Sequence, residues 1–155
     1  MATRSRHWSR AGVAAVVSVA AGLGLVACGG GGGDEKTTVD VALQEFSVTP
    51  AQDSAPAGSI TFDVTNTGPN EVHEFVVLKT DVAADALPTD ENGAAREEAE
   101  GIEAVDEVED VAVGDSASLT VDLEPGSYVF VCNIWDPDQQ QAHYRLGMRT
   151  AFTID

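Results

Sequence analysis

The sequence predicts an all-β sandwich, and two observations carry that prediction. Short runs in which apolar and polar residues alternate recur along most of the chain, which is the two-residue period of half-buried strands. Turn clusters rich in Gly, Pro, Asn and Asp separate these runs, a pattern typical of sandwiches built from many short strands. The 155 residues leave room for one modest domain behind an N-terminal leader.

The N-terminus has the pattern of a bacterial lipoprotein leader. Residues 1–10 carry three Arg, residues 11–27 carry no charge, and small residues precede Cys28. This pattern predicts a signal peptide over residues 1–27 and a lipid on Cys28. An uncleaved transmembrane anchor is the alternative, because seventeen uncharged residues approach the length of a bilayer span. Either interpretation predicts an extracytoplasmic domain held at the outer face of the cell membrane.

Residues 28–38 follow as a predicted tether. Five consecutive glycines at 29–33 precede a short polar stretch, and such a composition cannot bury a core. The folded domain is therefore expected over residues 39–155.

The first half of this domain contains three predicted strands. Residues 39–48 alternate apolar and polar, with a one-residue break at Gln44–Glu45 that predicts a bulge or bend. Residues 57–64 alternate again. Residues 72–78 are almost continuously apolar, which predicts a strand covered on both faces.

The second half repeats the pattern. Residues 119–123 alternate, and Glu124–Ser127 forms a predicted tight turn containing Pro-Gly. Residues 128–132 and 148–154 then read as the last two strands.

Between these halves, residues 80–110 depart from the strand pattern. They contain twelve acidic residues and one Arg. Five apolar residues recur at helical spacing, namely Ala95, Ala99, Ile102, Val105 and Val108. An amphipathic helix and a solvated acidic loop are both consistent with this segment, and Gly101 weakens the helix. We place the segment away from His143.

Net charge excludes some partners. The formal net charge of the whole chain is −18. Residues 28–155 contain five basic and 26 acidic residues, so their net charge is −21. No basic face is available for nucleic acid, so that class of partner is excluded. The acidic residues either steer a basic redox partner or form a solvated coat, that is, a hydrated surface that keeps the domain soluble without binding a partner.

Beyond Cys28, the predicted mature chain contains one cysteine, two histidines and one methionine: Cys132, His73, His143 and Met148. An unpaired thiol in an exported protein is either an inert core residue or a metal ligand. Two imidazoles, a thiolate and a thioether suit copper in both oxidation states. Zinc could occupy a site of two His and one Cys, but it would leave Met148 without a role.

The order of these residues and the motifs Tyr128–Cys132 and His143–Met148 resemble the cupredoxins across residues 39–155. The resemblance implies a Greek-key sandwich holding one type 1 copper. In that arrangement His73 and His143 supply imidazole nitrogens, Cys132 the thiolate and Met148 the axial sulfur. It also implies that the edge of His143 is exposed as the route for the electron.

Two features depart from the family pattern. Ten residues separate Cys132 from His143, more than in plastocyanin-like members. Glu74 stands where many members have an Asn that braces the ligand loop. We expect the Glu74 backbone N–H to reach the thiolate, whereas its side chain either lowers the potential or points to solvent.

Two aromatic residues near the ligands are candidates for partner docking. Trp135 lies in the extended loop and Tyr144 follows His143. Each could instead pack its own loop onto the sandwich or, for Trp135, lie over the copper.

The sequence thus predicts a monomeric one-electron carrier that works with redox protein partners. A lipoprotein that stores or delivers copper is an alternative, but it would need spare Met or His residues. A non-redox sandwich adaptor is a second alternative. An enzyme is not expected, because no further histidines remain for additional copper ions.

Overall fold

The computed structural model describes residues 36–155; the predicted signal peptide, Cys28 and the tether up to residue 35 lie outside the described residues. Residues 36–155 form eleven strands and one short helix. The elements are β1 (Thr37–Gln44), β2 (Ser47–Pro50), β3 (Ser54–Ala55), β4 (Gly58–Asn66), β5 (His73–Lys79), β6 (Glu103–Val111), β7 (Ser116–Leu123), β8 (Gly126–Val131), β9 (Trp135–Asp136), β10 (Gln141–Ala142), α1 (His143–Leu146) and β11 (Arg149–Ile154). Within this range no helix has the length and apolar character needed to cross a membrane.

Two sheets form the sandwich. The four-stranded sheet has the order β2-β1-β4-β7, and the five-stranded sheet has the order β3-β11-β8-β5-β6. Most neighbours are antiparallel, but β1 runs parallel to β4 and β11 runs parallel to β3. A separate two-stranded hairpin joins β9 to β10. The predicted all-β sandwich is confirmed.

Aromatic side chains fill the space between the sheets. Phe62, Phe75, Phe130 and Phe152 are buried, with ring centroids 4.8 to 6.0 Å apart. Burying each such side chain contributes about 1.5–3 kcal/mol. The same buried cluster includes Cys132 and Met148, so two of the four candidate ligands are part of the core.

A second apolar cluster covers the outer face of the five-stranded sheet. Val76 and Leu78 of β5 and Val129 and Val131 of β8 point into it, opposite the side chains that face the main core. Residues 80–102 cover them through Leu87 and Ala95, and Tyr144 completes the cluster. Coverage of both faces explains the continuously apolar sequence of these strands.

The predicted bulge at Gln44–Glu45 is instead a hairpin turn. Strands β1 and β2 pair in antiparallel fashion, with Gln44 opposite Ser47 and the turn at Glu45–Phe46. The alternating pattern continues after the turn because β2 returns along β1 with its own buried residue, Val48.

Of the two alternatives for the acidic segment, the amphipathic helix is wrong, and the loop describes only its first part. Residues 80–102 form turns and bends, and residues 103–111 form the edge strand β6. Two register shifts against β5, between His73 and Phe75 and between Val77 and Leu78, each add a residue to β6. An extra residue turns a period of two into a spacing of three. For this reason Val105, Val108 and Val111 imitate helical spacing while their strand packs on the sheet.

Candidate metal centre

The topology brings all four predicted ligands to one end of the sandwich. His73 is the first residue of β5, and Cys132 directly follows β8, which runs antiparallel to β5. The start of one strand therefore lies beside the end of the other. His143 opens α1, and Met148 lies between α1 and β11, which pairs with β8.

Backbone hydrogen bonds close the loop that carries His143 and Met148. The Cys132 N–H donates to the Met148 carbonyl at 3.0 Å, and the Met148 N–H donates to the His143 carbonyl at 3.1 Å. The His143 N–H donates to the Ile134 carbonyl at 2.9 Å. These bonds and the β9–β10 hairpin hold the ten residues between Cys132 and His143 against the ligand end.

Three donor atoms face one another. The Nδ1 atoms of His73 and His143 are 3.3 Å apart, and Cys132 Sγ is 3.8 Å from the first and 3.4 Å from the second. A metal ion centred in a triangle of donors, about 2.0 Å from nitrogen and about 2.3 Å from sulfur, requires separations of about 3.5 Å and about 3.7 Å. The observed separations are close to these values, so His73, Cys132 and His143 fit one metal ion such as copper.

Burial sets the protonation of these donors. His73, Cys132 and Met148 are fully buried and His143 is 2% exposed. Burial and the neighbouring His143 hold the pKa of His73 below its usual range. Burial raises the pKa of the Cys132 thiol to about 12, although N–H groups of Glu74 and Ile134 act in the opposite direction. A cation at this point would compensate the cost of forming a buried thiolate.

Glu74 contacts the ligand loop through its backbone and its side chain. Its backbone N–H donates to Cys132 Sγ at 3.4 Å, as expected from the sequence. Its carboxylate accepts the Asn133 N–H at 2.8 Å instead of pointing to solvent. Burial raises the pKa of Glu74 to about 7, with the nearby carboxylates of Glu107, Glu97 and Glu109 adding to the effect. The carboxyl group thus braces the residue that follows the cysteine.

Asn133 links the ligand loop to the acidic segment, a role that the sequence analysis missed. Its side chain accepts the Ala95 N–H at 2.6 Å and donates to the Ala95 carbonyl at 2.9 Å and to Glu97 at 2.7 Å. Residues 80–102 therefore lie beside the metal-binding loop, and they also contact Tyr144 and Arg145, so our placement of the acidic segment away from His143 was wrong. The position of an Asn directly after the cysteine was the available signal.

Of the two aromatic residues, Tyr144 is an internal anchor. Its hydroxyl donates to the Ala84 carbonyl at 2.9 Å and accepts the Leu87 N–H at 3.1 Å. Because its side chain is buried, it is not available to a partner, which corrects its predicted docking role. Trp135 is half-buried in β9, and its docking role stays a prediction.

The outer edge of His143 is covered, contrary to the expectation of an exposed imidazole. Its Nε2 lies 3.0 Å from Oε2 of Glu71. The ring of Phe46 meets it edge-on, with centroids 6.4 Å apart. Glu71 was not among the predicted site residues, since nothing in its local sequence indicates a contact with residue 143.

No protein-family model matches this chain, and no curated protein matches it either. Among solved structures, a reduced auracyanin from Roseiflexus castenholzii is 24% identical, with a TM-score of 0.54 over 77% of this chain and 98% of that chain. Auracyanin B is 21% identical, with a TM-score of 0.51 over 77% and 88%. Reduced rusticyanin is 16% identical, with a TM-score of 0.50 over 79% and 81%. These proteins are cupredoxins, and the chain has the cupredoxin fold.

Proposed function

We propose that this protein transfers single electrons through one type 1 copper ion. The observation that carries the proposal is the convergence of two Nδ1 atoms and one thiol sulfur at 3.3 to 3.8 Å, with Met148 buried in the same cluster as Cys132. Copper, when bound, supplies a one-electron couple that this soft donor set suits in both oxidation states.

The chain's own residues would hold that site and keep water from it. His73 is fixed by a strand, and Cys132 follows one. The Glu74 N–H donates to the cysteine sulfur, where it would stabilise a thiolate. Burial of all four residues favours a fixed electron-transfer site over storage or delivery, which needs an open entry for the metal.

A redox partner would dock at the ligand end. All three large apolar side chains that are clearly exposed within the described range, Phe46, Val72 and Val113, lie in turns or loops near this end. Phe46 contacts His143, Val72 precedes His73, and Val113 lies in the loop whose Gly114 N–H donates to Asn66. Exposed apolar groups at one end support contact with another protein.

Optical spectroscopy tests the copper assignment. The copper(II)-loaded protein should show an intense thiolate-to-copper band that disappears in Cys132→Ser while the fold survives. Cys28→Ser is the matched control, because it changes the other cysteine and should keep the band. A wild-type protein that binds copper(II) without this band would refute the type 1 assignment.

We further propose that the domain acts outside the cytoplasm on a lipid anchor at Cys28. The charged start, uncharged stretch and small residues before Cys28 support this setting, as does the glycine run that would serve as tether. Cys28→Ser should release the protein from the membrane fraction or leave an uncleaved precursor. Lipid labelling that persists in this variant would contradict the anchor.

A further inference from the structure

We propose that Glu71 is a positioning residue for the metal ligand His143 and that its charge favours the oxidised metal. The inference rests on the proposed metal-binding role of His143. Glu71 contacts the Nε2 side of the His143 imidazole, opposite the Nδ1 atom that would bind the metal.

The carboxylate of Glu71 is placed for this role. Its Oε2 lies 3.0 Å from Nε2 of His143, and this buried oxygen has no hydrogen-bond partner in the described range. The imidazole is 3% exposed and the carboxylate 20% exposed, so water screens the pair only in part. At the present ring orientation the pair does not have hydrogen-bond geometry, so a rotation of the imidazole, which also orients Nδ1, is needed to align Nε2–H with the carboxylate.

The two ring nitrogens of His143 have separate partners. Nδ1 faces Cys132 Sγ at 3.4 Å and His73 Nδ1 at 3.3 Å. A metal on Nδ1 leaves the ring proton on Nε2, where an acceptor fixes the tautomer and the ring orientation. Glu71 Oε2 is the acceptor available there.

Glu71 is itself held in place although it lies in a loop. Its backbone N–H donates to Oε1 of Glu45 at 2.7 Å, and its carbonyl accepts from the Asn66 side chain at 2.8 Å. Its other carboxylate oxygen accepts from the Gln139 side chain, which lies in the same extended loop as Trp135. The carboxylate therefore has a defined position before any metal binds.

The contrast with His73 strengthens the assignment. The Nε2 atom of His73 is buried and has no hydrogen-bond partner in the described range, yet this residue belongs to a strand and needs no side-chain brace. His143 begins a helix of four residues and has no sheet to orient it. A carboxylate behind the imidazole supplies that orientation.

The first test uses zinc, so it does not depend on copper redox chemistry. In the full-length protein loaded with Zn²⁺, we expect a His143 Nε2–H resonance in ¹H–¹⁵N spectra that is protected from solvent exchange. Glu71→Ala should abolish the protection. Glu71→Gln keeps the volume and an acceptor oxygen, so it should retain the resonance with faster exchange. Glu124→Gln is the control, because it neutralises an exposed carboxylate paired with Lys79 at the other end of β5 and should leave the resonance unchanged.

The second test uses copper. Glu71→Gln should keep the thiolate band and shift the reduction potential upward, because it removes a negative charge that favours Cu(II). Glu71→Ala should also weaken metal binding by about 10- to 100-fold, the usual effect of removing a group that orients a ligand. Glu124→Gln should change neither quantity.

The outcomes separate this inference from the proposed function. A protected N–H that persists in Glu71→Ala would overturn the positioning role, and a potential that does not move in Glu71→Gln would overturn the effect of its charge, while copper binding stands in both cases. A protected N–H that depends on Glu71, in a protein whose copper form lacks the thiolate band, would support the positioning role and refute the type 1 function.

Discussion

The four candidate ligands reach the site from two kinds of structure, and the two kinds are supported differently. His73 and Cys132 belong to or directly follow strands of the five-stranded sheet, and the core fixes their positions. His143 and Met148 lie on the loop between β10 and β11. Met148 packs in the core, but the His143 end of that loop is held by polar contacts of Tyr144 and Glu71 at its rim.

This difference separates stability from the tuning of the site. Removing core packing should lower the free energy of unfolding while the ligands keep their geometry in the folded fraction. Removing a rim contact should cost less stability and change the metal site more. The following substitutions test that separation, beginning with the largest effect.

Phe152→Ala should have the largest effect on stability. The Phe152 ring lies 4.8 Å from Phe130 and 6.0 Å from Phe62, measured between centroids, and is buried. Truncation should lower the free energy of unfolding by about 3–5 kcal/mol, as measured by denaturant unfolding. The thiolate band of the folded copper form should keep its wavelength. A shifted band at full folding would show that the core tunes the site directly.

Tyr144→Phe should cost about 1–3 kcal/mol, because it leaves the buried N–H of Leu87 and carbonyl of Ala84 without the hydroxyl. It should also weaken metal binding and alter the spectrum, since Tyr144 adjoins His143. Tyr128→Phe is the matched control. Its hydroxyl donates to the Glu124 carbonyl at the opposite end of β8, so it should cost about 0.5–1.5 kcal/mol and leave the spectrum unchanged. If the two variants have equal spectra, the contacts of the Tyr144 hydroxyl do not help to position His143.

Met148→Leu changes the other loop ligand with a side chain of similar size, so stability should change by less than about 1.5 kcal/mol. The copper form should keep its colour, and its reduction potential should rise because a thioether at this position would no longer donate to Cu(II). Voltammetry and the optical spectrum measure both. If neither changes, Met148 lies outside the coordination sphere.

The smallest expected effect concerns the acidic segment. If its charge steers a basic redox protein, the electron-transfer rate should fall as salt shortens the Debye length from about 10 Å at 0.1 M to about 3 Å at 1 M. Glu98→Gln, Glu100→Gln and Glu103→Gln together should lower the rate and flatten this dependence. Glu97 is left unchanged because it accepts from Asn133.

The matched control neutralises the same number of charges at Asp40, Asp53 and Asp155, all of them exposed and lying on or beside β1, β3 and β11 rather than β6. It should affect the rate less, and stopped-flow kinetics with a basic and an acidic redox protein measure both sets. A rate that is flat or rises with salt would favour the solvated coat.

Sequence reasoning identified the candidate ligands because the types of residue and their order along the chain indicate a metal site. Cys132, His73, His143 and Met148 are all the Cys, His and Met residues beyond Cys28, and strand periodicity placed two of them at strand ends. It failed on β6, where two bulges gave Val105 and Val108 a helical spacing. It also missed Glu71 and Asn133, because their contacts join residues 36 to 72 positions apart; the only local signal was the position of Asn133 directly after the cysteine.

The charge on β6 has a consequence for molecules held close together. This strand is an open edge of its sheet, and five of its nine residues are acidic and exposed. An open edge is a template on which a second copy could add its own strand. Joining two such edges would set like charges about 5 Å apart along the seam, which is destabilising. The edge therefore works against aggregation at high local concentration.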